Sequence, residues 1–243
     1  MRGLGTGPLW FVETLLLFAF FYVVYRLLKK SGISQNRPFP SNKRIALSVL
    51  CLGLITFLIR LKLPLGWVFV PLNLQFPYFP QYIFLLAAGV ACYRYDWFFK
   101  LPESSGKLWL KIAGAGIVLL PIVGILGGAS TGDLTPFNGG MHWQALVLAL
   151  WESFVGIGMC IGLLYYFREK YNHQSPLKRV LTDNVYTVFI IHAPVLVVVG
   201  LAFRNITLYP LAKFTLVLCV VVSLCFVISH FIIRRLPYAK RIL

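Results

Sequence analysis

Four ionisable side chains lie inside long apolar stretches of this sequence, namely Glu13, Glu152, His192 and His230. A charge in the hydrocarbon of a membrane is costly unless it is paired, so such residues are rare and often functional. A carboxylate and an imidazole can together remove a proton from an alcohol, one as the base and the other as the orienting group. The alternative is that each side chain hydrogen-bonds the backbone or a neighbouring hydroxyl and holds helices together.

Glu152 and His192 are the two that best fit a catalytic pair. At a rise of 1.5 Å per residue, Glu152 lies about 14 Å from the outer end of its predicted span. By the same rise, His192 lies about 12 Å from the cytoplasmic start of the next span. In a hydrocarbon core of about 30 Å these depths differ by a few ångströms, and the two spans are consecutive and antiparallel. We therefore predict that Glu152 and His192 meet and are catalytic.

The composition places these residues in a membrane protein. The chain has 243 residues, of which 59% are hydrophobic and 12% charged, whereas a soluble domain carries about 25% charged residues. Seven apolar stretches approach the roughly 20 residues that a membrane-spanning helix needs. They are Pro8–Leu28, Ile45–Leu61, Phe79–Tyr93, Leu108–Leu126, Trp143–Phe167, Val185–Phe203 and Phe214–Ile233. The predicted fold is all-α, a polytopic bundle of about seven transmembrane helices forming a single domain over residues 1–243.

Basic residues follow every other span. Alternate connections and the C-terminal tail hold 18 of the 23 lysines and arginines, while the remaining segments hold Arg2, Arg60, Lys62, Arg204 and Lys213. The positive-inside rule then predicts a cytoplasmic C-terminus and an outer N-terminus. Because this topology accounts for the net charge of +16, no nucleic-acid partner is expected. The expected partner is the lipid bilayer, and the expected location is a cell membrane, as in a bacterial inner membrane.

Several other features have a structural interpretation. The five cysteines fall inside apolar segments with no metal-ligand spacing, so no metal site is predicted. The glycine pairs Gly124/Gly128 and Gly158/Gly162 are spaced to let helices approach closely. Asp183 and Asn184 precede an apolar run, which is typical of a helix N-cap.

Polar residues near the predicted outer side are candidates for substrate contact. Glu13 lies about 7 to 8 Å below the outer surface by helical rise. It is a candidate for lining an outward cavity, and the alternative is an ordinary carboxylate at the membrane interface. His142 and Asp133, in and beside a glycine-rich loop, are candidates for contacting a polar substrate outside. His230 is one turn from Arg234 and is expected to face cytoplasmic headgroups.

Three segments together resemble the acyltransferase 3 family of integral membrane enzymes. They are Gly7-Pro8-Leu9-Trp10-Phe11, Phe79-Pro80-Gln81-Tyr82 with Gly89 and Tyr93-Arg94, and Asn184-Val185-Tyr186 through His192-Ala193-Pro194. In the third segment Phe189 stands where a tyrosine is usual. The resemblance implies transfer of an acyl group, of acetyl or succinyl type, from a cytosolic donor such as acyl-CoA to a hydroxyl of a sugar or glycan. No bound cofactor is implied. The family motifs carry over to Trp10, Tyr82, Tyr186 and His192, the first three as substrate-binding residues together with Glu13.

The departure from the family pattern concerns the first helix. Relatives usually begin with a helix that carries an arginine and, ten residues on, a catalytic histidine, and nothing in this sequence matches it. The resemblance therefore covers the C-terminal two-thirds of such an enzyme, and we expect the domain to be N-terminally incomplete. In that case His192 and Glu152 would shape or polarise a cavity in support of a base on the unmatched helix, and activity of the chain alone is left open.

Two other functions remain as alternatives. A transporter or flippase would use intramembrane Glu and His as a relay, although no internal repeat with matching proline or glycine interruptions is evident. A seven-helix receptor would suit the predicted topology, but the last span has no lysine at mid-membrane, since Lys213 lies at its outer edge.

Overall fold

The structure, a computed structural model, describes residues 10–28, 37–69, 74–173 and 175–235. Side chains of the first helix are described from Glu13 onward. The helices are α1 (Trp10–Leu28), α2 (Asn42–Arg60), α3 (Phe79–Arg94), α4 (Trp97–Lys100), α5 (Glu103–Leu126), α6 (Thr135–Asn138), α7 (Trp143–Lys170), α8 (Pro176–Ala202) and α9 (Pro210–Phe231). No strand is present in this described part, where Phe69 and Leu74 form an isolated bridge.

The prediction of an all-α polytopic bundle is confirmed. Within the ranges that the structure describes, six helical segments are long and apolar enough to cross a membrane. They are Asn42–Arg60, Phe76–Arg94, Glu103–Leu126, Trp143–Lys170, Pro176–Ala202 and Pro210–Arg235. The first predicted span is present as the 19-residue helix α1. Helices α5 and α8 begin earlier than predicted because polar turns at a membrane surface extend a helix beyond its apolar part. The orientation of the termini across the bilayer stays a prediction.

The chain divides into two compact units, Met1–Asn172 and His173–Leu243. The first contains α1 to α7 and the second contains α8 and α9. Glu152 belongs to the first unit and His192 to the second. Each unit is described by itself below.

Glycines let α5 and α7 approach closely in the first unit, as predicted for one of the two glycine pairs. A Cβ added to Gly158 would lie 2.9 Å from the carbonyl oxygen of Trp109, and one added to Gly162 would lie 2.7 Å from Cβ of Leu110. Neither position has room for a side chain, so this contact depends on glycine. Trp109 is buried there, and its indole N–H donates to Oδ1 of Asn42 on α2.

The same prediction is wrong for Gly124 and Gly128. A Cβ on Gly124 would meet only the side chain of Ala129, at 3.7 Å, and one on Gly128 would meet nothing within 4 Å. Gly128 instead lies just beyond α5 with φ of +91°. This left-handed conformation favours glycine, so backbone geometry explains Gly128 better than helix packing does.

One end of the first unit is basic. The N-termini of α2 and α5 lie there with the C-termini of α3 and α7, because neighbouring helices in the bundle are antiparallel. Arg168, near the end of α7, donates to the carbonyl oxygens of Phe98 and Leu101 at 3.0 and 2.9 Å. Since its guanidinium bonds backbone on both sides of Lys100, Arg168 anchors the short helix α4 and the residue that follows it.

In the second unit, a buried polar contact joins α8 to α9. The hydroxyl of Ser229 donates to Oδ1 of Asn184 at 2.6 Å, and both residues are buried. The predicted N-cap at Asp183 and Asn184 is therefore wrong. Helix α8 begins at Pro176, and Ser175 caps it by accepting a hydrogen bond from the N–H of Lys178. The helix starts two turns before the apolar run that suggested the cap.

Candidate functional site

An ion pair inside the first unit joins two of the predicted spans. Nη2 of Arg60, the last residue of α2, lies 2.7 Å from Oε2 of Glu152 near the middle of α7. The Arg60 side chain is fully buried, while that of Glu152 is 21% exposed. A buried charge without a partner is unstable, so the guanidinium and the carboxylate depend on each other.

A third helix contributes to the same carboxylate. Nε2 of Gln81, in the first turn of α3, donates to Oε2 of Glu152 at 3.3 Å. Two donors on one oxygen fix the orientation of the carboxylate. The Arg60 guanidinium also lies over the ring of Tyr78, 5.2 Å from its centroid, which is a cation–π geometry. We call Arg60, Tyr78, Gln81 and Glu152 the polar cluster.

Loops at the non-basic end of the unit enclose Arg60. The N–H of Gly140 donates to the Arg60 carbonyl oxygen, and the N–H of Leu65 donates to the carbonyl oxygen of Asn138. Gly139 is buried with φ of +159°, and a Cβ there would lie 2.6 Å from the Arg60 carbonyl oxygen. The loop after α6 therefore packs directly on the end of α2, and this contact requires glycine at position 139.

The polar cluster has unused hydrogen-bonding capacity. Nε and Nη1 of Arg60 are buried and have no hydrogen-bond partner among the described residues. Within the same part of the chain, the contacts of Glu152 all go to Oε2. The second oxygen, Oε1, belongs to a partly exposed side chain and is available to accept a hydrogen bond. The cluster thus holds the carboxylate in place through one of its two oxygens.

The predicted substrate-binding residues of the first unit lie on α1 and α3. Tyr82 is one residue from Gln81, and its ring stacks on that of Tyr78 with centroids 6.3 Å apart. Tyr82 thus borders the polar cluster. Glu13 is half-buried in the first turn of α1. Trp10 begins the same helix, and its side chain lies outside the described residues.

His192 and Tyr186 lie on α8, in the second unit. Nδ1 of His192 contacts the carbonyl oxygen of Phe189. A carbonyl oxygen accepts only, so Nδ1 carries the hydrogen and Nε2 of the neutral ring is left with a lone pair. This tautomer suits a proton acceptor at Nε2. Tyr186 is exposed. The predicted pairing of Glu152 with His192 stays a prediction.

The remaining polar candidates have local contacts. Asp133 is exposed, and hydrogen bonds from the side chain and the N–H of Thr135 hold its pKa below the usual value. His142 is exposed at the start of α7. The ring of His230 meets that of Phe231 edge-on, with centroids 4.9 Å apart.

Sequence reasoning missed three residues of the cluster. Arg60 has the position of an outer flanking charge, because an arginine at the end of an apolar run usually reaches for the headgroups. Gln81 lies within a family-like motif that assigns it no role. Tyr78 precedes α3 and carried no signal. An unpaired Glu152 in a span was the available hint, since it required a cation from another helix.

No group of three or more metal-ligating side chains occurs among the residues that the structure describes. The five cysteines are free thiols.

A protein-family model matches a region of the chain that spans both units. The family model of the acyltransferase 3 family, described as an acyltransferase domain, matches residues 2–230. The match covers the helices of both units and the three segments whose motifs resemble the family. No curated protein and no solved structure matches the chain. Together with its apolar helices, the match identifies a multi-pass integral membrane protein of acyltransferase type. The chain belongs to the acyltransferase 3 family.

Proposed function

We propose that this protein transfers an acyl group from acyl-CoA to a hydroxyl group of a sugar or glycan in a cell membrane. The observation that carries the proposal is the carboxylate of Glu152, held on one oxygen by Arg60 and Gln81 with the other oxygen open. A fixed carboxylate inside the bundle suits an acceptor hydroxyl, because it can accept the hydrogen bond of that hydroxyl and orient the attacking oxygen.

The reaction is an acyl transfer. The acceptor oxygen attacks the thioester carbonyl carbon, the new C–O bond forms, and the C–S bond breaks to release the CoA thiol. The hydroxyl proton passes to a base and from there to the leaving sulfur. Nε2 of His192 is our proposed base, because Nδ1 is engaged with the Phe189 carbonyl and leaves Nε2 able to accept a proton.

Other residues have supporting roles in this proposal. Arg60 and Gln81 are positioning residues, since each acts through Glu152. Tyr82, beside the cluster, would contact the acceptor, and we assign the same role to Trp10, Glu13 and Tyr186. Aromatic side chains suit sugar rings because they offer flat apolar faces next to polar groups.

The acyl donor is proposed to bind at the basic end of the first unit. This end carries cations from α2, α3, α5 and α7, which would attract the phosphates of a CoA ester. If that end faces the cytosol, as the charge bias predicts, the donor and an acceptor at the opposite end would approach from the two sides of the membrane.

The test is an acyl-transfer assay with the full chain in nanodiscs, using labelled acetyl-CoA or succinyl-CoA and a panel of glycan acceptors. Acceptor-dependent release of CoA is the expected result. His192→Ala should lower the rate by about 10²- to 10⁴-fold, the usual contribution of a general base. The matched control is His173→Ala, because His173 is exposed at the start of the second unit, and it should leave the rate unchanged.

Failure would take one of two forms. Equal rates for wild type and His192→Ala would remove His192 from the chemistry. Uptake of a glycan into proteoliposomes without any acyl donor, combined with no acyl transfer, would contradict the proposal and favour a transporter.

A further inference from the structure

An apolar cavity opens in the first unit, away from the polar cluster. Its volume is about 460 Å³, and α2, α3, α4 and α7 line it. Arg44 and Trp97 lie at the basic end, whereas Phe84 and Ile157 lie toward the cluster. By helical rise, Phe84 is about 4.5 Å from Gln81 along α3, and Ile157 is about 7.5 Å from Glu152 along α7. The cavity therefore runs from the basic end to within two helical turns of the cluster.

The size and the wall of this cavity suit a hydrocarbon chain. A group the size of a water molecule takes up about 30 Å³ in a liquid, so the cavity has room for roughly 15 such groups. Small residues on α3 form one wall, and a Cβ added to Gly89 would meet nothing within 4 Å. An empty space of this size between helices would lose the dispersion contacts of its lining. A chain-shaped occupant would restore them.

The charge at the mouth selects the kind of headgroup. Arg44 is one of the residues that line the cavity, and no ion pair or hydrogen bond of Arg44 occurs within the described ranges. Glu103 pairs with Lys107 at this end, and Glu169 pairs with Arg168. A third acid, Asp96, is exposed and lies outside the cavity lining. A cation beside an apolar cavity at a membrane surface complements an anionic headgroup whose tail enters the cavity.

We propose that this cavity binds one acyl chain of an anionic membrane phospholipid, with the lipid phosphate at Arg44. The site differs from the polar cluster and does not depend on the proposed reaction. Surrounding lipid tails are as apolar as the cavity wall, so burial of the chain by itself gives little selectivity. Selectivity then comes from the headgroup. One arginine near an anionic lipid contributes about a fivefold preference over a zwitterionic lipid.

The experiment uses phosphatidylglycerol and phosphatidylcholine that carry a diazirine in the same acyl chain. Full-length protein in nanodiscs is irradiated, and the crosslinked peptides are identified by mass spectrometry. Crosslinks are expected on residues 84–92 of α3 and 157–164 of α7, about fivefold more with phosphatidylglycerol.

Two variants separate the chain site from the headgroup site. Gly89→Leu should remove most crosslinks in the cavity, because the leucine side chain would occupy it. Its control is Gly114→Leu on α5, where a Cβ also meets nothing within 4 Å and which lies outside the cavity. Arg44→Gln should abolish the preference for phosphatidylglycerol, whereas Lys43→Gln, one residue away and outside the cavity lining, should retain it.

Three results would overturn the proposal. The first is equal labelling by the two lipids, and the second is retention of the cavity crosslinks in Gly89→Leu. The third is loss of the lipid crosslinks on adding decanoyl-CoA in equimolar amount, which would show that the cavity takes the acyl donor instead. Thermal unfolding of each variant checks that it is folded, so a loss of crosslinks in a folded protein is interpretable.

Discussion

The Arg60–Glu152 pair predicts a specific pattern of stabilities in a double-mutant cycle. Glu152→Leu leaves a fully buried guanidinium without its acceptor, while Arg60→Met leaves a carboxylate that is 21% exposed and still bonded to Gln81. Removing one partner of a buried pair is strongly destabilising, whereas replacing both by apolar residues is often nearly neutral. Glu152→Leu should therefore lose more stability than Arg60→Met, and the double variant should regain part of the stability that Glu152→Leu loses.

The burial of each partner sets how much free energy of unfolding each variant loses. Loss of the acceptor for Arg60 should lower the free energy of unfolding by about 3–5 kcal/mol. Loss of Arg60 should cost less, about 1–3 kcal/mol, because water and Gln81 still solvate Glu152. The double variant Arg60→Met with Glu152→Leu should be more stable than Glu152→Leu alone, which requires a coupling energy larger than the cost of Arg60→Met and so of about 3 kcal/mol.

The assay is reversible unfolding of the four proteins in mixed micelles, followed by tryptophan fluorescence as sodium dodecyl sulfate is increased. A matched cycle at Glu103 and Lys107, an exposed pair on α5, should give a much smaller coupling energy because solvent screens the two charges. If the losses in the Arg60 and Glu152 single variants simply add in the double variant, the two side chains do not interact and the polar cluster is misassigned.

Two further predictions concern helix packing. Gly162→Leu should destabilise the protein by about 3 kcal/mol or more because its side chain would overlap Leu110, whereas Gly114→Leu should have little effect in the same unfolding titration. Ser229→Ala should cost about 1–2 kcal/mol by leaving the buried Asn184 oxygen without its donor. Thr215→Ala, which removes an exposed hydroxyl on the same helix, should cost under about 0.5 kcal/mol, and equal losses for the two would contradict the assigned contact.

The sequence predicted the helices well because lipid imposes a simple rule. Backbone groups must be satisfied within each span, so a long apolar stretch becomes a helix. Hydropathy identifies only the part of that helix that lies in the hydrocarbon of the membrane, and not its polar ends. This is why α8 was predicted from Val185 and begins at Pro176, with its cap at Ser175 in place of Asn184.

The polar cluster was only half predictable. Glu152 stood out because a carboxylate in a span needs a partner, but its cation is 92 residues away in sequence. Arg60 has the type and position of an ordinary flanking arginine, and its burial depends on the loop around Gly139. The contacts of the polar cluster depend on how three helices and a loop pack together. Such contacts produce no periodic pattern in the sequence from which they could be predicted.

Glycine spacing likewise predicted one pair of positions and failed at another. Gly158 and Gly162 lie in the middle of α7 and face α5, so their spacing reports a real close approach. Gly124 and Gly128 have the same spacing, but α5 ends at Leu126 between them. A four-residue spacing of glycines predicts close helix packing only when both residues lie in one helix.

A single-turnover measurement shows whether the Glu152 carboxylate takes part in acyl transfer. Glu152→Gln keeps the shape of the side chain and a hydrogen-bonding oxygen for Arg60, so it should destabilise the protein less than Glu152→Leu does. With labelled acyl-CoA and saturating acceptor, we expect the rate of acyl transfer to fall by about 10²-fold or more. A folded Glu152→Gln protein that transfers the acyl group at the wild-type rate would contradict this account.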